Sequence, residues 1–290
     1  MTYRLLFRVT VNGWTEHEVI ADRDVTMFSA LRSSRVPILM YHQVCPRPLR
    51  NFEKYSVTTK AFAAQMSWLA GAGYRSIGID ALVKARTEEC VLPRRPVLIT
   101  FDDAFQGAME AAAPVLRSHG FTATFYVVAD LVGRNSEWLR AERGVNLSLI
   151  DWRTIRTLEA EGHACGAHSM THPRLAELAE AACRRELTDS RMELENNLGH
   201  EVRDFSYPFG SYNWRVRQWA QEAGYRSACS VRIGLSDPDD DLLALHRVPV
   251  SGNDSLFDFA CRLRLAYTLP ELARRKAAGM RKRLRLGTEA

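Results

Sequence analysis

The chain has 290 residues, 46% of them hydrophobic and 25% charged. That is the ordinary composition of a soluble globular protein, long enough for one large α/β domain or two small ones, and it excludes a disordered or fibrous chain. The net charge is +5, from 39 basic and 34 acidic residues. The longest apolar runs, such as Thr122 to Ala129, are far too short for a membrane-spanning helix.

Taken in chain order, residues 1–35 stand apart. Tyr3–Val11, Asn12-Gly13 and Trp14–Ile20 read as a β-hairpin extension, because Asn-Gly suits a tight type I′ turn. The opening lacks an apolar core ending in small residues, so no signal peptide is expected. Six scattered cysteines without a CxxC pair read as reduced core thiols, which favours a cytoplasmic location.

From Val36 onward, apolar runs alternate with amphipathic stretches. Strands are expected at Val36–His42, Tyr74–Ile79, Pro96–Asp102, Thr122–Val128, Ala164–His168, Asp204–Pro208, Tyr225–Val231 and Leu243–Val250. Helices are expected at Thr59–Ala70, Phe105–His119, Asp151–Glu161, Leu175–Asn197 and Asn213–Ala223. Thr58, Asp151 and Asn213 are suitable N-caps; Gly120, Gly162 and Gly224 close helices. The alternation predicts about eight parallel strands joined by helices, hence an α/β barrel, with an open doubly wound sheet as the other solution. The long connection Asp130–Ile150 is expected to be functional or partly helical; its Trp138 suits either a sugar-binding rim or packing. No internal repeat or low-complexity segment is visible.

Residues 269–290 form a basic tail, with Arg274, Arg275, Lys276, Arg281, Lys282, Arg283 and Arg285. It reads as a solvated helix end or as a patch attracted to an acidic polymer or to anionic lipid, the last placing the protein peripherally at the inner membrane. No nucleic-acid motif accompanies it, so nucleic acid is not an expected partner.

Two clusters carry chemistry. Asp102 and Asp103 follow the apolar run Val97-Leu98-Ile99. Carboxylates at the end of a buried strand need a cation or strong hydrogen bonds to stay ionised, although an Asp pair also caps helices. His168 and His172 stand at i and i+4 after another strand and converge on one ion if the segment turns helically. One Asp and two His leave an open position for water, a catalytic kind of metal site.

Thr100-Phe101-Asp102-Asp103, the His168-Ser169-Met170-Thr171-His172 run and Tyr207-Pro208-Phe209-Gly210 together resemble the polysaccharide deacetylases, the NodB-homology group or carbohydrate esterase family four. The resemblance extends over roughly residues 36–265, and the deacetylase domain is placed at 36–268. Ile38-Leu39-Met40-Tyr41-His42 resembles the first strand of a bacterial branch tied to exopolysaccharide synthesis. The resemblance implies a distorted (β/α) barrel of seven to eight parallel strands and one divalent metal ion, usually zinc. Asp103, His168 and His172 would hold the metal, Asp102 would be the general base, and the substrate and oxyanion contacts would come from Tyr207 and Phe209. The family's third motif usually has an Arg two residues before the Pro; here that position is Ser206, and Arg247 is expected to supply the guanidinium instead. Leu243-Ala244-Leu245-His246 fits the family's general-acid motif, making His246 the expected acid unless it is a strand residue facing solvent or the barrel wall; His42 is another candidate facing the barrel mouth, although a first-strand His is more often structural. The implied function is removal of acetyl groups, N-acetyl above all, from a saccharide, polysaccharide or glycolipid precursor. Hydrolysis of other non-peptide C–N bonds and an inactive glycan-binding relative are the alternatives.

Overall fold

The computed structural model describes residues 35–87 and 90–287. The expected N-terminal hairpin lies outside them. The strands are β1 (Ile38–Tyr41), β2 (Gln43–Cys45), β3 (Ser56–Thr58), β4 (Arg75–Ser76), β5 (Pro96–Phe101), β6 (Thr124–Val127), β7 (Ala164–Ala167), β8 (Asp204–Ser206), β9 (Ser227–Ile233) and β10 (Leu245–Pro249).

All strand pairings are parallel, and β1 bonds to both β10 and β5. The order β1-β10-β9-β8-β7-β6-β5 therefore closes on itself as a seven-stranded barrel, with β4 added outside β5. Strands β2 and β3 form a separate pair. The expected strand at Tyr74–Ile79 shrinks to two residues, because Ile79 already opens a helix, Ile79–Thr87. The five expected helices occupy Thr59–Gly71, Gln106–Ser118, Trp152–Ala160, Glu180–Leu198 and Trp214–Glu222. Thr58, Asp151 and Asn213 accept hydrogen bonds from first-turn amides, satisfying donors that the helix leaves open. The long connection contains the helix Glu137–Arg143, and the basic tail is the helix Leu269–Gly287.

Side chains on a strand alternate between faces. Val97, Ile99 and Phe101 pack outward into the main core against the helices, whereas Leu98 joins Ile38, Tyr126, Cys229 and Leu245 in a second cluster drawn from five different strands. This second cluster fills the barrel interior. It is crowded: a Cβ on Gly166 would lie 2.7 Å from the Tyr126 ring, so glycine is required there. One step further along the same inward faces come Thr100, Asp102, Ser206 and Arg247, all buried. The interior thus changes from apolar to ionic toward the C-terminal ends of the strands, where barrel enzymes place their chemistry.

Of the cysteines, Cys45, Cys165, Cys183 and Cys229 are buried, Cys261 is half-buried and Cys90 is exposed; none is paired. Among the described residues, no helix is long and apolar enough to cross a membrane.

Candidate metal centre and active site

Asp102 and Asp103 leave the end of β5, and their directions differ because the backbone turns sharply. Asp103 and Ala104 both take left-handed conformations, at φ +68° and +50°. Ser169, His172 and Phe209 do so as well, at +62°, +65° and +57°. Such strain in non-glycine residues persists only where the surroundings impose it, and here it collects around one cavity.

Asp103 Oδ1 lies 3.4 Å from His168 Nε2 and 3.1 Å from His172 Nε2. One potential ligand atom from each residue falls within 4.8 Å of the others, and all three side chains are buried. His168 Nδ1 donates to the Ser206 carbonyl at 2.7 Å, which leaves Nε2 as a lone pair. A lone pair aimed at a carboxylate oxygen in a dry site is repulsive unless a cation lies between them or the ring takes a proton. Burial opposes protonation at His172, holding its pKa below the usual imidazole value. One carboxylate and two imidazoles whose ligand atoms converge within 4.8 Å are a donor set that fits a divalent cation.

The segment carrying the two histidines is not helical, contrary to the geometry expected for i, i+4 ligands. It is an irregular turn held from outside. Glu186, on the helix Glu180–Leu198, accepts from the amides of Met170 and Thr171 and from the Thr171 hydroxyl at 2.9, 3.0 and 2.7 Å. Ser169 Oγ accepts from the His172 amide at 3.0 Å. Glu186 gave no signal in the sequence, since one more acidic residue in a charged helix is unremarked.

Asp102 is gripped by Arg247. Nη1 donates to Oδ1 and Nη2 to Oδ2, each at 2.7 Å, in a fork-on-carboxylate geometry. The other three guanidinium protons go to the Ser230 carbonyl, Thr100 Oγ1 and Ser206 Oγ. Arg247 is fully buried, and Ser206 leaves the space that its guanidinium fills. Burial disfavours ionised Asp102, but the Arg247 charge and hydrogen bonds outweigh it and hold the carboxyl below its usual range.

Two sequence-derived assignments end up elsewhere. His246 does not line the cavity; its Nδ1 pairs with Asp240 at 2.9 Å. The reason is the strand period: with Arg247 facing inward, its neighbour must face out. Tyr207 is fully buried on the outer side of the barrel. Its amide bonds to the Cys229 carbonyl and its hydroxyl donates to Leu243 O at 2.9 Å, so neither donor is available to a substrate. Phe209, by contrast, lines the cavity, with its ring edge-on to His172 at 4.6 Å.

The cavity encloses about 480 Å³ and opens at the C-terminal ends of the strands. Asp102, Asp103, His168 and His172 form its floor, and His42 joins them from just beyond β1. Burial lowers the His42 pKa, partly countered by Asp103 and Asp102. Trp138 stacks on the His172 ring at 4.4 Å and lines the cavity. Tyr55, with Lys54 and Arg143 over its ring, forms the outer lip.

Comparison with known proteins finds relatives of the chain as a whole. Residues 91–228 match the sequence model described as polysaccharide deacetylase. "Putative polysaccharide deacetylase YxkH" of Bacillus subtilis is 26% identical over 220 residues, covering 76% of this chain and 73% of that protein. A poly-beta-1,6-N-acetyl-D-glucosamine N-deacetylase of Staphylococcus epidermidis is 23% identical over 235 residues, covering 74% of this chain and 78% of its own. The Streptococcus pyogenes deacetylase PplD, solved in complex with acetate, superposes with a TM-score of 0.70 at 22% identity, over 80% of this chain and 99% of that one. It shares the fold.

Proposed function

We propose that this chain, whose residues 91–228 match the polysaccharide deacetylase model, hydrolyses N-acetyl groups of an acetylated saccharide in a metal-dependent reaction. The observation that carries this reading is the meeting of Asp103, His168 and His172 beside an arginine-clamped Asp102 in one cavity.

Asp103, His168 and His172 would hold the divalent cation; one carboxylate and two imidazoles suit zinc. When bound there, it supplies a Lewis acid that lowers the pKa of water to about 7 and polarises a carbonyl. Asp102 then accepts the proton, acting as general base. The Arg247 grip serves two ends: it keeps Asp102 ionised in a dry site and fixes the direction of its free lone pairs. The water oxygen, relieved of its proton, attacks the acetyl carbonyl carbon. The Phe209 amide, on a residue that lines the cavity, would be the backbone donor to the oxyanion; Pro208 has no N–H to offer. The proton taken up by Asp102 is passed on to the His42 ring, which delivers it to the departing nitrogen, the role first expected of His246. One water is consumed, the C–N bond breaks, and acetate and a free amine leave.

The relative acting on poly-beta-1,6-N-acetyl-D-glucosamine makes β-1,6-linked N-acetylglucosamine oligomers the first substrates to try. Expected is release of acetate with an equal amount of new amine, and no turnover of cyclic amides. Opening of cyclic amides without acetate release would replace this reading by hydrolysis of other C–N bonds.

A further inference from the structure

Nine large apolar side chains stand exposed among the described residues, and six of them gather at one edge of the cavity mouth and on the C-terminal helices. Val231 and Ile233 line the cavity itself. Leu256, Phe257 and Leu265 lie on the helix Leu256–Leu265, and Leu269 begins the helix that follows. Phe257, Cys261 and Leu265, at i, i+4 and i+8, form one outward stripe, while Phe259 and Leu263 on the opposite side are buried. Phe257 is 65% exposed, and it is the grouping with its exposed neighbours that marks an interaction surface.

The next helix supplies the charge. Leu269–Gly287 contains seven basic residues and one acidic residue, Glu271. Glu271 is already bonded to Arg262 at 2.9 and 3.0 Å. The helix therefore carries +6, more than the +5 of the whole chain, so all other residues together are at −1. The two features adjoin: the Tyr267 hydroxyl donates to the Ile233 carbonyl at 3.1 Å, and the Arg275 guanidinium lies over the Tyr267 ring at 4.5 Å.

We infer that this face docks on an anionic lipid bilayer, with the apolar stripe entering the interface and the basic helix meeting the headgroups. Apolar side chains beside a dense cationic helix match that partner on both counts. A nucleic acid would leave the leucines and Phe257 without partners. A second copy across a two-fold axis would set one +6 helix against another. Residues 1–34 hold four basic and four acidic residues and offer no charge complement. Docked in this way, the cavity mouth beside Val231 and Ile233 faces the bilayer surface, within reach of a saccharide held there. The inference stands independently of the acetate-releasing reaction.

The test is co-sedimentation of the full chain with vesicles of phosphatidylglycerol and phosphatidylcholine in equal parts, against phosphatidylcholine alone. Binding is expected only to the anionic vesicles and should weaken as salt is raised. Replacing Arg274, Arg275 and Lys276 by Gln lowers the partition coefficient on the order of a hundredfold, at about fivefold per charge. Phe257→Ser with Leu265→Ser lowers it about tenfold or more, at unchanged melting temperature. Absence of binding to anionic vesicles, or binding untouched by the Phe257 and Leu265 changes, overturns the inference. So does a dimer, seen by light scattering, that the same two changes dissolve.

Discussion

Replacing Arg247 by Met isolates the interaction that makes a buried Asp102 tenable. Met retains an unbranched apolar stem but removes a guanidinium whose five N–H groups are all bonded, two of them to Asp102 at 2.7 Å. The carboxylate is left buried without its counter-ion, which costs about 3–5 kcal/mol. For a domain of this size that is a fall in melting temperature of roughly 6–20 °C. The pH dependence gives a second, sign-specific readout. In the wild type, Asp102 has a folded pKa below its unfolded value, so its contribution is present above about pH 4 and is lost only as pH falls through the depressed value. In the variant, burial acts alone and raises the folded pKa above the unfolded one. Ionised Asp102 then destabilises at pH 7, and acidification restores stability as the group takes up a proton. The gap in melting temperature between the two proteins should therefore narrow from pH 7 to pH 5; taking a difference cancels acid effects common to both. Adding Asp102→Asn should make the double variant more stable than Arg247→Met alone. Thermal unfolding followed by circular dichroism measures all of this. A variant melting within about 2 °C of wild type at pH 7, or a gap that widens on acidification, would refute the reasoning.

Further outcomes follow from the site. His42→Ala should lower kcat/KM for acetate release by about 10²–10⁴-fold, and His246→Ala by no more than about threefold; the reverse order would return the acid role to His246. His168→Ala and Asp103→Ala should each bring metal content, measured by plasma emission, from about one ion per chain to near zero. Ala104 pays for a φ of +50°, so Ala104→Gly should be neutral or stabilising by up to about 1 kcal/mol in thermal unfolding, whereas Ala104→Val should destabilise.

Much of the barrel is legible in the sequence because its strands are buried on both faces and stand out as apolar runs between capped helices. Strands β2 and β3 escape notice because three residues each, such as Gln43-Val44-Cys45, carry no period. The start of the helix Ile79–Thr87 is hidden within an apolar run that reads as strand. At the site, the positions of Asp102, Asp103, His168 and His172 can be read from their motifs, because each directly follows or closely trails a strand end. The proximity of Arg247 to Asp102 comes from closure of the barrel, which brings β10 to β1 and β1 to β5. The same alternation that turns Arg247 inward turns His246 outward, and Ser206 inward implies Tyr207 outward. Matching letters to a motif misses this; counting faces along the strand finds it. The turn that joins His168 to His172 depends on Glu186 and on two left-handed residues, neither of which local sequence dictates.

The most direct measurement is acetate release from an N-acetylated β-1,6 oligosaccharide by metal-stripped protein titrated with Zn²⁺, for wild type and Asp102→Asn side by side. Wild-type activity should rise with added metal and level off near one equivalent per chain. Asp102→Asn should bind the same equivalent yet release acetate at least about a hundredfold more slowly. Full acetate release by stripped protein in the presence of a chelator, or an Asp102→Asn variant as active as wild type, would contradict a metal-dependent deacetylase built on Asp102, Asp103, His168 and His172.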